Sequence, residues 1–427
     1  MSFDEFVTSP AAFLPFWLQQ KPVVIENVPV INHNAILNAL SNLKGHRMGV
    51  KLSPTRDFEG IDKLQNWAMS SSQYVPREVL DQMQSPDLVV VRAAHKELNI
   101  SDIFAIFAHS TLLAEKRQRT QASSSRSRNP NPNLTMDNDI NAYVEYLPVS
   151  RRPNDVLKIL LEQLLPGLDD AEQLQQQLLT KRHSSLSNSL PNWLDDYLLD
   201  GKAHVWIGDG RAVGKLHFDP FDNILVQVEG SKTFLLADAS QNERFLEGHM
   251  REAELEIDLR SFQDDTNENV IAATFFKNKL SESTSMVHSP IGSLRAVVAL
   301  NDPDDISSQE TKMRFPEVNN IEGTLMECHV DAGSALFVPS FWWHEVQSHP
   351  GDHLQFTANA GAHNGSGRDS LAVNISLNVA VNFWFSPLFS KEFPCATCRK
   401  EFNKEYRKSI EAVVEYIESN GVTIAQK

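Results

Sequence analysis

Between Ala203 and Phe385 the chain is a succession of short β-branched and aromatic runs separated by turn residues, and this texture most constrains its fold. AHVWIG (Ala203–Gly208), the GKLHFD segment, NILVQV (Asn223–Val228) and KTFLLA (Lys232–Ala237) come first. RAVVAL (Arg295–Leu300), TLMECHV, SALFVP, HEVQS and LAVNISLNVAVNFWF follow. Strands this short hide their apolar faces by stacking two sheets or closing a barrel. The prediction is a mainly β fold with flanking helices, a sandwich or jelly-roll barrel. Glu229-Gly230-Ser231 reads as a compact hairpin turn joining two of its strands.

Other textures flank this region. Residues 1–115 read as an α/β region packing on the barrel. It has a short helix within Phe3–Gln19, strands in KPVVIENV (Lys21–Val28) and LVVVRAA (Leu88–Ala94), and a helix over Ile100–Leu113. KRQRTQASSSRSRNPNPN (Lys116–Asn133) has too little apolar surface to offset its ordering entropy. Residues 116–135 are therefore expected to be a disordered linker, a solvated insertion whose arginines and serines also suit RNA contact or phosphorylation. Residues 136–390 form the barrel region, with helix candidates at Asp155–Leu165 and Ala171–Leu179. Residues 391–427 read as a helical tail. A helix over Phe393–Ile417 would line up Ile410, Val413, Val414 and Ile417 as one stripe, facing its own barrel or a second copy.

Composition narrows the function. In 427 residues, 39 basic and 55 acidic side chains leave a net charge of −16, which disfavours bulk affinity for nucleic acid or anionic membranes. The opening MSFDEFVTSP has acids where a signal peptide carries lysines, and no apolar run approaches the ~20 residues of a membrane span. Three cysteines cannot make a disulfide framework. Cys395-Ala-Thr-Cys398 with Cys328 cannot complete a four-cysteine zinc site, so Cys395 and Cys398 read as two unrelated thiols. A reducing compartment, cytoplasm and/or nucleus, is expected.

The chemistry concentrates in a few residues. In His217-Phe218-Asp219 an imidazole and a carboxylate two residues apart project from one strand face, a mixed donor pair for a divalent metal. A further histidine would complete a facial triad for Fe(II). His344 ends DAGSALFVPSFWWH, behind two tryptophans, and is either that ligand or a core histidine satisfied by a backbone carbonyl. Lys232 lies in an otherwise apolar β stretch, where it either reaches solvent or pairs with an anionic cofactor. The Tyr143 phenol could share that anion. Other signatures fail: His344 and His349 are one residue too far apart for a zinc-protease motif, and Gly210–Leu216 has the wrong glycine spacing for a phosphate loop.

HFDPFDNILVQVEGSKTFLL and GSALFVPSFWWHEV, with KPVVIENV near the start, resemble the Jumonji C (JmjC) family of cupin-like oxygenases. The likeness runs from about Tyr143 to Phe385 and is greatest to the small hydroxylase branch, the factor-inhibiting-HIF and JmjC lysyl hydroxylase type. It implies a double-stranded β-helix and a dioxygenase that uses Fe(II) and 2-oxoglutarate. By that resemblance His217, Asp219 and His344 would hold the iron. Lys232, assisted by Tyr143, would bind the distal carboxylate of 2-oxoglutarate. Asn223 and Asn382 would line the same pocket, with Asn374 or Asn378 as alternatives to Asn382. Gly214 departs from the family, which often has Ser or Thr there, and the segment between His344 and Asn382 is longer than usual. The resemblance implies a protein side-chain hydroxylase. N-methyl demethylation, hydroxylation of a tRNA base as in wybutosine synthesis, and a non-catalytic binding scaffold are the alternatives. A homodimer through the C-terminal helix is the implied assembly.

Overall fold

The computed structural model describes residues 1–67, 76–123, 140–149, 156–166, 194–199, 201–263, 269–295, 306–321, 324–358, 371–395 and 397–420. The predicted helix at Ala171–Leu179 and all of the predicted strand RAVVAL past Arg295 lie outside them.

The strands of the first half are β1 (Val23–Glu26), β2 (Arg47–Ser53), β3 (Glu59–Lys63), β4 (Leu88–Arg92), β5 (Ala94–Asn99), β6 (Asn141–Pro148), β7 (Lys202–Gly208) and β8 (Val213–Phe218). There follow β9 (Asp222–Glu229), β10 (Ser231–Ala237), β11 (Met250–Gln263), β12 (Asn269–Ser285) and β13 (Met326–Asp331). Then come β14 (Ser334–Val338), β15 (Trp343–His349), β16 (His353–Ala358), β17 (Leu371–Ser376) and β18 (Asn378–Phe385). An eight-stranded sheet runs β1-β14-β9-β18-β7-β6-β2-β5, and a four-stranded sheet runs β13-β10-β15-β8. Side chains from both sheets line one cavity, so the two are the walls of a cupin-type jelly roll. A third sheet, β12-β11-β4-β3, contains the long β11–β12 ribbon.

The two-residue period explains the walls. Lys232, Phe234 and Leu236 of β10 alternate with their neighbours, as do His344, Val346 and Ser348 of β15, and the first two of each set line the cavity together with Ser348. Behind the large sheet, the helices Phe3–Thr8 and Pro10–Leu18 seal its apolar face with Phe6, Phe13, Leu14 and Trp17, all buried. Complete burial of one such side chain contributes about 1.5–3 kcal/mol.

Three expectations need correcting. Glu229-Gly230-Ser231 is not a hairpin turn: β9 and β10 belong to different sheets, and the turn carries the chain from one wall to the other. Gly230 has φ +70°, and a Cβ there would meet the His349 carbonyl oxygen at 2.5 Å, so this crossing requires glycine. Lys116–Ser123 is not linker, because the helix starting at Ile100 runs through Ser123; the rest of the expected linker lies outside the described residues up to 139. The tail is not helical from Phe393. A two-stranded pairing at Glu401–Phe402 and a 3-10 turn precede the helix, which spans Arg407–Asn420.

That tail helix docks on its own chain. Val413 is fully buried and Ile410 packs against the same core, whereas Val414 is 46% exposed. Val413→Ala should therefore cost about 1–2 kcal/mol, read as a lower Tm. Val414→Glu should leave Tm and the mass measured by light scattering unchanged. A Val414→Glu chain that halves its mass would instead place a second copy on this face.

Candidate metal centre

His217 lies on β8 and His344 on the neighbouring β15, directly opposite each other in the antiparallel register. A bulge after His344 breaks the ladder there, and the two rings lie 4.3 Å apart between centres. Asp219 follows the end of β8, where its carbonyl accepts the backbone N–H of Phe341 at 2.8 Å. One ligand atom from each of His217, Asp219 and His344 lies within 4.8 Å of the others. The Asp219 Oδ2 to His344 Nε2 distance is 3.6 Å. A metal with bonds of about 2.1 Å would draw neighbouring ligands to about 3 Å, a small contraction of what is already in place.

Both imidazoles are aimed. The Nδ1 of His217 sits 2.6 Å from the Lys215 carbonyl, and the Nδ1 of His344 sits 2.9 Å from the Trp342 carbonyl. Each carbonyl accepts a hydrogen bond from Nδ1–H and leaves Nε2 as the lone-pair donor, the outer-sphere arrangement of metal-binding histidines. His344 is thus satisfied by a backbone carbonyl through Nδ1, and its Nε2 stays available to a metal. Burial, reinforced by the charge of His217, lowers its pKa to about 4, so the ring is neutral and ready to coordinate at pH 7. The donor set, two nitrogens and one carboxylate, fits a facial Fe(II) site.

Asp222, the other acid of this segment, is structural. It is fully buried and accepts from Trp17 Nε1 at 3.0 Å and from the backbone N–H groups of Ser340 at 2.8 Å and Leu388 at 3.2 Å.

The cavity above the triad has a volume of about 180 Å³. Lys232 reaches into it from β10, with Ser348 Oγ at 2.8 Å and Tyr143 Oη at 3.5 Å. Both partners are hydroxyls. Burial lowers the Lys232 pKa to about 7 and raises that of the Tyr143 phenol. Tyr143 lies over Gly208 of the paired strand, where a Cβ would meet its ring at 2.7 Å. Asn223 and Asn382 also line the cavity. Asn382 Oδ1 accepts from Trp206 Nε1 at 2.7 Å, while Asn223 Oδ1 is buried with no hydrogen-bond partner among the described residues. Asn378 lies elsewhere, tying Ser231 to His349 through their carbonyls, and Asn374 is exposed. At position 214 a Cβ would stand 3.8 Å from the His217 ring, ordinary contact, so the glycine leaves room rather than relieving a clash.

A cupin-like domain matches residues 10–391. The chain belongs to the cupin-like JmjC family. Among curated JmjC relatives, the lysine-specific demethylase JMJ32 of Arabidopsis thaliana is 25% identical over 191 residues, covering 44% of this chain and 43% of that protein. JmjC domain-containing protein E of Dictyostelium discoideum is 21% identical over 245 residues, 56% of this chain and 59% of the relative. JmjC domain-containing protein F of the same organism is 24% identical over 182 residues, 38% and 31%. The chain thus spans between about a third and three-fifths of the relatives it matches.

Several residues of this JmjC-family cavity had no sequence signal. His288 stacks flat on His217 at 5.6 Å and is held by Ser285 Oγ at 2.6 Å and Glu59 Oε2 at 2.8 Å. Burial opposes the Glu59 charge, but His288, Lys51 and Arg92 outweigh it and hold this carboxyl well below its usual range. At the mouth, Tyr146 sits at φ 52° in a bulge between Val144 and Leu147 and packs on Trp206 and Trp384 at 4.8 and 5.3 Å. Its bulky side chain in left-handed backbone is re-aimed by that bulge. Only the positive φ and the bulge, both invisible in sequence, bring it to the opening.

Among the described residues no helix is long and apolar enough to cross a membrane. Cys395 and Cys398, expected to be unrelated, are bonded to each other; a separation of three residues at a turn brings their Cα atoms to 5.3 Å, within disulfide reach.

Proposed function

We propose that the protein is an Fe(II)- and 2-oxoglutarate-dependent dioxygenase that hydroxylates a protein side chain, as in the small hydroxylase branch. The observation that carries this reading is one cavity with the His217–Asp219–His344 triad and, on the same wall, a buried lysine whose partners are two hydroxyls. A buried ammonium without a carboxylate is costly, and a dicarboxylate supplies what it lacks.

In this reading His217, Asp219 and His344 hold iron on one face. The metal, when bound, supplies oxygen activation coupled to decarboxylation of the co-substrate. The chain's own residues do the rest. Lys232 takes the distal carboxylate with a charge-assisted bond, and the Ser348 and Tyr143 hydroxyls complete that contact. Trp206 fixes the Asn382 amide by its oxygen, which presents the NH2 group as a donor. Asn223 Oδ1 gains the donor it lacks from a bound water or ligand. Leu225, Phe234, Val346 and the Tyr146–Trp206–Trp384 wall exclude bulk water around the reacting C–H bond.

N-methyl demethylation is the second reading, supported by the similarity to the lysine-specific demethylase of Arabidopsis. It is the same C–H oxidation on an N-methyl carbon. Both predict metal-dependent release of succinate from 2-oxoglutarate, above a His217→Ala control, when cell extract or histone peptides are supplied. Mass spectrometry of captured targets separates them: a gained oxygen marks hydroxylation and a lost methyl group marks demethylation. A tRNA substrate would make turnover require RNA and fall steeply with salt. No succinate above the control with any of these would leave a binding scaffold instead.

A further inference from the structure

The matched domain ends at residue 391, and the stretch that follows carries the only disulfide among the described residues. That stretch is seated on one buried carboxylate. Glu247, whose side chain is 0% exposed, pairs through Oε2 with Lys391 Nζ, itself 1% exposed. Its Oε1 accepts the backbone N–H of Cys395 at 3.0 Å. A buried ion pair holds only while its geometry is kept, because either charge left alone is strongly destabilising.

The other side of the strap bears on the metal ligands. The Lys391 ammonium lies 5.4 and 5.6 Å from the ring centres of Phe218 and Phe341. Phe393 packs on the same two rings at 6.0 and 6.2 Å, and Lys400 donates to the Ser340 carbonyl at 3.2 Å. Phe218 stands between His217 and Asp219 in sequence, and Phe341, at φ 65°, donates its N–H to the Asp219 carbonyl. One layer of aromatic rings therefore separates the disulfide loop's seat from the ligand-bearing segment.

We propose that Cys395–Cys398 is a thiol–disulfide exchange site whose state sets how firmly the strap holds Asp219 and His217 in metal-binding geometry. Both cysteines are partly exposed, so a dithiol reductant can reach them. One of its thiolates attacks a cysteine sulfur to give a mixed disulfide. Its second thiolate then displaces that sulfur. The protein disulfide gains two electrons and two protons and becomes two thiols, while the reductant leaves as its own disulfide. In the bonded state the closed loop fixes the Cys395 N–H on Glu247. In the open state the segment regains backbone freedom and that hydrogen bond costs more to hold. The proposal rests on the metal-centre reading for its consequence, but not for its thiol chemistry.

The test uses the full chain, air-oxidised or reduced with a phosphine that is then removed, and Mn(II) as the probe, followed by electron paramagnetic resonance. Alkylation should label one of the three cysteines in the oxidised protein and all three after reduction. Outer-sphere partners are worth about 10–100-fold in metal affinity, and this contact is one layer further out. Reduction should therefore weaken Mn(II) binding about 3–10-fold. Cys398→Ser should show the weaker affinity with no response to reductant, and Lys391→Met should weaken Mn(II) binding in both redox states. Three labelled cysteines before reduction would overturn the exchange site itself, and equal affinity of oxidised and reduced protein would overturn its control of the metal ligands. Failure of both forms to bind Mn(II) would overturn the metal centre and that control together, whatever the labelling shows of the thiols.

Discussion

Asp219→Ala should abolish iron binding and lower turnover by more than about 100-fold, because even outer-sphere partners of a metal are worth 10–100-fold. The same change should leave the metal-free fold nearly untouched, within about 1 kcal/mol, since the Asp219 side chain is 20% exposed and the backbone carries its anchor to Phe341. Asp222→Ala should do the reverse. It strands three buried donors, Trp17 Nε1 and the N–H groups of Ser340 and Leu388. At about 1–3 kcal/mol for each unsatisfied group, the loss of stability should be at least about 3 kcal/mol. Iron content by atomic absorption and Tm by calorimetry check the pair. Native iron content in Asp219→Ala would mean that another carboxylate binds the metal.

Lys232→Met should raise the 2-oxoglutarate requirement about 30-fold or more, because truncating one partner of a buried charge pair costs about 2–5 kcal/mol. Burial holds the Lys232 pKa at about 7 in the empty site, against an ordinary value of 10.5. The unfolded chain keeps this proton up to its higher pKa while the folded chain sheds it near 7. The stability of the empty protein should therefore rise with pH from about 7 to 10.5 through this group. Binding a dicarboxylate restores the charge, so 2-oxoglutarate should bind with proton uptake above pH 7 and more weakly as pH rises. Calorimetric titrations in buffers of different ionisation enthalpy read that proton directly. Lys232→Met should remove the uptake and stabilise the empty protein at neutral pH. An unchanged co-substrate affinity in this variant would make Lys232 a bystander.

Much of the site was legible because its signals are local. His217 and Asp219 share a face by the two-residue period, and the glycine-to-tryptophan run places His344 in a core strand. Lys232 stood out as a charge in an apolar strand. What escaped the sequence is non-local. Ser348 becomes a partner of Lys232 only through the register of β10 on β15. His288 and Glu59 meet at the back of His217 from segments 229 residues apart. Gly230 looks the same in a hairpin and in a crossing between sheets; the nearness of His349 decides, and that is tertiary. A local signal does mark β11: Ala253, Leu255, Ile257 and Leu259 alternate with charges along it, the pattern of a half-buried strand. Cys395 and Cys398 lack the further thiols of a four-cysteine zinc site, and a three-residue separation also suits a bond between them.

The most direct test of the central claim is a crystal structure with Mn(II) and 2-oxoglutarate, using anomalous scattering to locate the metal. A single peak should lie within bonding distance of His217 Nε2, the Asp219 carboxylate and His344 Nε2, with the distal carboxylate of 2-oxoglutarate on Lys232 Nζ. A peak on other residues, or a co-substrate whose far carboxylate avoids Lys232, would contradict it.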